Sequence, residues 1–257
     1  MRRTLTFSSA LIAISAFVAT AGAGVITLDP TITVVAGGEE WSWSPEGYQD
    51  KNGDWNYEGS RTEAAGNGSW TLDFSVQAPR PDEGAGEAFR GAQTAFLFNN
   101  LVMTNNTGMT QTISITTMIP VAPAILPSSL MGGSAAGTLS TNGDGGTLSN
   151  VLNSLPMYRA LIDGLPVGGV ADLHLFDSSI SAPAFDSAST GSESFGQPAP
   201  SAPGPAIFSS IGITLQFDLT DGDAASWTSN FVVNVIPGPG SGVLLGLAGF
   251  AAIRRRR

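Results

Sequence analysis

Residues 101–121 read LVMTNNTGMTQTISITTMIPV. Two runs rich in apolar and β-branched residues flank Asn105-Asn106-Thr107-Gly108, and in the second run Ile113 and Ile115 alternate with Thr112, Ser114 and Thr116. A period of two marks a strand with one dry and one wet face. The Asn-Asn-Thr-Gly break supplies turn residues, so the stretch predicts a β-hairpin. A second unit of the same kind is ITLQFDLTDGDAASWTSNFVVNV (213–235). There Asp221-Gly222-Asp223 makes the turn, and Leu215, Phe217 and Leu219 face a core.

Outward from these two units, further strand-like runs end at turn residues: 25–38, 69–78, the 94–108 and 208–220 extensions, and VADLHLFD at 170–177. About seven such runs predict an all-β fold, an antiparallel β-sandwich of jelly-roll or Ig-like type. Residues 149–163, SNVLNSLPMYRALID, are the one stretch that reads as a short helix, divided or started by Pro156. Residues 178–206 have Ser, Ala, Gly and Pro scattered throughout and no sustained period, which predicts a long surface loop.

The two ends differ from this body. Met-Arg-Arg is followed by an apolar stretch from Leu5 to Val18 and then by ATAGAG, the order of a secretory signal over residues 1–23. At the other end, Pro237-Gly238-Pro239 precedes the apolar run VLLGLAGFAAI (243–253) and four arginines, Arg254, Arg255, Arg256 and Arg257. That run falls short of the ~20 residues that normally span a bilayer. Its arginine cluster nevertheless favours the cytoplasmic side and resists transfer, which predicts a transmembrane-like helix with the body outside. The GSGVLLG stretch imitates a dinucleotide-binding glycine loop, but no acidic residue follows it at the required distance.

Six of the eleven basic residues are arginines at the two ends, leaving five against twenty-one acids in the body. A field of that sign argues against nucleic acid and anionic membranes as partners. With no cysteine, disulfide frameworks, thiol catalysis and cysteine metal sites are excluded together. The body, residues 24–236, is the right length for a single β domain.

A secretory signal at one end and a Pro-x-Pro turn, short glycine-rich apolar helix and arginine cluster at the other resemble the PEP-CTERM sorting signal of exported bacterial proteins. The motif of that family usually reads Pro-Glu-Pro; here glycine stands at 238. The resemblance covers about the last twenty residues and implies sorting of residues 237–257 by an exosortase-type membrane protease. It also implies export to the envelope, cell surface or extracellular polysaccharide matrix, with transient anchoring by the tail helix. The bodies of such proteins are diverse, so it implies no activity for residues 24–236.

Within the body, DKNGDWNYEG (50–59) places oxygen donors at Asp50, Asn52, Asp54 and Glu58, the alternation a calcium ion requires. An EF-hand loop would need glycine at 55 and an acid at 61. Trp55 and Arg61 stand there, leaving a looser calcium site or a polar hairpin tip as the two readings. Around it lie Trp41, Trp43, Tyr48, Trp55, Tyr57 and Trp70. Trp41 and Trp43 share one strand face, as do Trp55 and Tyr57, so exposed rings could form a carbohydrate platform; buried rings would be core packing.

His174 is the single histidine, which disfavours the usual zinc sites, and no GxSxG nucleophile signature accompanies it. Paired carboxylates could serve a glycosidase, but sequence selects no pair among twenty-one. Asn67-Gly68-Ser69 and Asn105-Asn106-Thr107 match the glycosylation triplet. The sequence thus predicts an exported surface or matrix component, structural or adhesive and without catalysis. A carbohydrate-binding module is the alternative and an extracellular glycoside hydrolase the third.

Overall fold

The computed structural model describes residues 29–51, 55–78, 94–121, 128–151, 155–175 and 179–235. In chain order these form β1 (Thr31–Ala36), β2 (Glu39–Trp43), β3 (Tyr48–Gln49), β4 (Trp55–Ala65), β5 (Gly68–Ala78), β6 (Thr94–Asn106), β7 (Gln111–Pro120), β8 (Ser129–Ser140) and β9 (Gly146–Ser149). They continue as β10 (Tyr158–Ile162), β11 (Leu165–Pro166), β12 (Asp172–Leu173), β13 (Ser179–Ala182), β14 (Ser187–Phe195), β15 (Ala202–Gly204), β16 (Ser210–Leu219) and β17 (Ala224–Val235). The first sheet runs β11-β10-β16-β7-β1-β2, with β12, β9 and β13 attached at its margin. The second runs β14-β8-β17-β6-β5-β4-β3, with β15 on β8. The antiparallel sandwich is therefore what the alternation in 101–121 and 213–235 indicates.

Period-two burial explains the layering. Ile113, Ile115 and Ile119 of β7 are buried while Thr112 is exposed and Ser114 and Thr116 half-buried on the opposite face. Trp70, Leu72 and Val76 of β5 face them from the second sheet's inner side together with Trp227 and Phe231 of β17. Each such side chain contributes about 1.5–3 kcal/mol when fully removed from water, so one inner-face register fixes both sheets.

The two predicted hairpins are not hairpins. β6 and β7 belong to different sheets, as do β16 and β17. Each turn carries the chain over the edge of the core, keeping the apolar face inward on both sides. The strands were legible; their pairing was not, because a corner and a hairpin use the same turn residues. The two corners pair with each other instead: β7 lies on β16, and β6 on β17. The β8–β9 and β13–β14 connections also cross between sheets, and β8 pairs with both β17 and β14 while β9 pairs with β16 and β13. Four arches therefore stack side by side along one end of the sandwich.

Other expectations are corrected. Within 149–163, residues Tyr158–Ile162 are strand, not helix; their backbone pairs with Ile211–Leu215 of β16 in the first sheet, a tertiary partner that local pattern cannot reveal. The 178–206 segment holds β13, β14 and β15, and is not one long loop. β14 is an edge strand whose burial is confined largely to Thr190 and Phe195, so its sequence lacks apolar alternation. Of the 170–177 run, the described residues up to 175 hold the end of a 3-10 turn at Gly169–Ala171 followed by the two-residue β12. No helix among the described residues is long and apolar enough to cross a membrane. The C-terminal helix expected within 237–257 lies outside the described residues, as does the signal at 1–23.

The chain enters and leaves the sandwich at one end. Thr31 of β1 pairs with Met118, near the end of β7 remote from its arch, and Val235 of β17 pairs with Ser129 at the corresponding end of β8. The arches occupy the opposite end.

Candidate functional site

The aromatic cluster is built into the packing. β2 places Trp41 and Trp43 on one face, but that face turns towards the second sheet. Trp41 meets the buried Trp70 edge-on at 5.1 Å between ring centroids, and Trp43 lies 6.0 Å from Phe74. Arg61 of β4 sits 4.5 Å over the Trp43 ring and pairs with Glu63, closing the sandwich edge with a cation–π contact. Trp55 and Tyr57 stack with centroids 6.2 Å apart; Tyr57 is buried. Burial, assisted by the charge of Asp29, pushes the Tyr57 hydroxyl up to about 12, so it stays protonated across the physiological range. Trp41, Trp43 and Trp55 are half-buried against the core, so these side chains do not form a row of exposed rings.

Of the calcium candidates, Asn52 and Asp54 lie outside the described residues. Asp50 is half-buried, and Glu58 is exposed on β4, where it accepts the Ser75 hydroxyl at 3.4 Å. Glu58 also faces Tyr48, and its charge, followed by burial, raises the Tyr48 hydroxyl above its ordinary value. Among the described residues no group of three His, Asp or Glu is placed to hold a metal ion. The sorting residues Pro237, Gly238, Pro239 and Arg254–Arg257 lie outside the described residues.

His174 is exposed, and its backbone N–H donates to Glu193 at 3.0 Å. Asn105 is fully buried: its side chain donates to the carbonyls of Met109 (2.9 Å) and Leu219 (2.8 Å) and accepts from the Thr107 N–H and hydroxyl. A glycosylation acceptor must be reachable, so that triplet is structural. Asn67, in the β4–β5 turn, is exposed.

One concave surface among the described residues is one that the sequence reading did not single out. On the outer face of the second sheet a trough of about 620 Å³ crosses β4, β5, β6, β17, β8 and β14. One cross-strand row runs Glu58, Ser75, Asn100, Thr228 and Ala136. The next row runs Ser60, Asp73, Val102, Ser226 and Thr138. The Thr228 hydroxyl donates to Asn100 Oδ1 at 2.9 Å. On β8, Ala136 leaves the floor low, and Gly137 has no side chain because Trp227 fills that space: a Cβ would stand 2.5 Å from the indole. The signal for this surface is the polar half of each alternation, Asp73-x-Ser75 and Ser226-x-Thr228-x-Asn230.

Glu58 and Asp73 are diagonal neighbours on adjacent strands, so both carboxylates stand on the same wall of the trough.

Near the opposite end from the arches, Asp163 adopts a positive φ of 52° and its carboxylate accepts the N–H groups of Phe208, Ser209 and Ser210 and the Ser209 hydroxyl at 2.7–3.1 Å. Burial opposes its ionisation, but these hydrogen bonds prevail and hold the carboxyl below its ordinary value. The group clamps the entry to β16.

No family model and no curated protein matches the chain. Among solved structures, that of the infectious bursal disease virus Gx strain aligns at 13% identity with a TM-score of 0.26, covering 84% of this chain and 54% of the viral one. The T13 particle of the same virus aligns at 14% identity with a TM-score of 0.19, covering 86% of this chain and 61% of the viral chain. The chain thus spans between half and two thirds of the length of the viral chains to which it is similar.

Proposed function

We propose that this protein is an exported, non-catalytic component of the cell surface or extracellular matrix, structural or adhesive in role, delivered by its two end signals. The observation that carries this reading is the pairing of a secretory-type N-terminus with the Pro237-Gly238-Pro239, apolar and Arg254–Arg257 tail. The partner implied is an exosortase-type membrane protease. The fold is consistent with such delivery: β1 begins and β17 ends at the same end of the sandwich, so a tethered precursor would present its arches and both sheet faces outward. The acidic, cysteine-free body suits a soluble extracellular component.

The test is a variant with Arg254–Arg257 changed to neutral residues, followed in a pulse-labelled culture. The reading requires impaired membrane retention or altered tail processing with the body still folded. Unchanged sorting would contradict it.

A carbohydrate-binding role finds no support at Trp41, Trp43, Trp55 and Tyr57, whose rings serve the packing.

A further inference from the structure

A second concavity adjoins the trough. It holds about 360 Å³ and is lined by Phe96, Phe98, Asn230 and Val232 of the sheet and by Gln197, Pro198 and Pro200 of the loop after β14. Phe98 pairs in register with Asn230, and Phe96 with Val232. Because outward positions alternate, Phe96, Phe98, Asn100 and Val102 of β6 form one outward line beside Val232, Asn230, Thr228 and Ser226 of β17. The two concavities share no lining residue but lie end to end on these strands, and together they outline a groove. From Phe96 to Val102 it is roughly 20 Å long, at about 3.4 Å per residue. Its wall is fixed: Gly132 lets the loop lie directly on β8, and a Cβ there would meet the Gly196 carbonyl at 2.8 Å and Pro200 at 3.3 Å.

We infer that this groove binds an extended, uncharged polysaccharide chain. Phe96 and Phe98 offer half-buried ring faces at one half, against which the C–H faces of sugar rings can stack. Asn100, Thr228, Ser226 and Ser75 offer groups that donate and accept at the other half, the complement of a polyol. Among the described residues no basic side chain lines either concavity, while Glu58 and Asp73 stand on one wall, a lining that disfavours a polyanion. Those carboxylates lie on one wall only, and hydroxyl and amide groups make up the rest of the polar lining, which favours a neutral occupant over a cationic one. A peptide would gain no backbone ladder here, because the backbone groups of β6 and β17 are spent within the sheet. The groove gives the adhesive reading above its ligand class. Binding by the purified chain and export by a host are separate readouts, so either can fail alone.

The experiment is affinity electrophoresis of the purified full-length chain through gels containing a neutral glucan, a neutral mannan, anionic alginate, cationic chitosan or no polymer. Retardation by a neutral polymer, insensitive to salt, is expected. Phe98→Ala and Asn100→Ala should each weaken that retardation at least tenfold, whereas Thr33→Ala on the outer face of the other sheet should leave it unchanged. Independently of any variant, hydroxyl-radical footprinting of the unmodified chain with the retarding polymer should protect Phe96 and Phe98 and leave the exposed Phe185 and Phe208 reactive. Failure of both neutral polymers to retard the chain, preference for alginate or chitosan, protection absent from Phe96 and Phe98, or release of new reducing ends would each overturn the inference.

Discussion

Asn105 and Asp223 join two arches: the backbone N–H of Asn105 donates to the Asp223 carbonyl at 3.0 Å, while the Asn105 carbonyl accepts from Gly222 next door. The side chain of Asn105 adds bonds to Met109 and Leu219, so one buried amide serves both turns. Asp223, also buried, accepts the N–H of Asn142 at 3.1 Å and the Thr220 hydroxyl, extending the link to the β8–β9 arch. Asn105→Ala would leave several buried groups without partners at about 1–3 kcal/mol each. A loss of about 2–4 kcal/mol is expected in urea unfolding, with Asn106→Ala, on an exposed position, nearly neutral.

Asp163 predicts a pH dependence. Its carboxyl is held below its ordinary value in the folded state, so its contribution is fully present above the unfolded carboxylate pKa of about 3.9 and is lost as pH falls through the folded value. Asp163→Asn should lower the urea midpoint at pH 7 and reduce the further loss of stability below pH 4. Parallel acid limbs for the two proteins would refute the clamp.

Gly137 faces Trp227 so closely that a methyl group must displace the indole or the strand. Gly137→Ala should destabilise by about 1–3 kcal/mol, the range for overpacking, and alter the tryptophan emission. An unchanged midpoint would mean that β8 has room to move.

Trp41→Ala separates packing from platform. Losing the edge-on contact with Trp70 should cost about 2–4 kcal/mol in thermal or urea unfolding. Affinity for any neutral polymer should persist under conditions where the variant remains folded. Lost binding with unchanged stability would restore the platform reading.

How far the sequence could be read follows from what each residue contacts. Ile113-x-Ile115 and Leu215-x-Phe217-x-Leu219 specify strands with a dry face because burial recurs every second residue. Asn105-Asn106-Thr107-Gly108 specifies a reversal, but whether the chain returns in its own sheet or crosses to the other depends on Asn105 meeting Leu219, more than a hundred residues away. Tyr158–Ile162 becomes a strand through β16, and β14 becomes an edge through β8; neither partner is local. Trp41 and Trp43 share a face as their spacing requires, yet spacing is silent on whether that face is wet. The groove was hidden for the same reason: Ser75, Asn100 and Thr228 come from three strands that only the sheet order brings into one row.

Intact-mass spectrometry of the protein recovered from surface and secreted fractions of its native host tests the central claim most directly. The account predicts a chain lacking the residues before about 24 and those after about 237, the boundaries set by the two end signals. A full-length mass with both ends retained, recovered only from the cytoplasm, would contradict it.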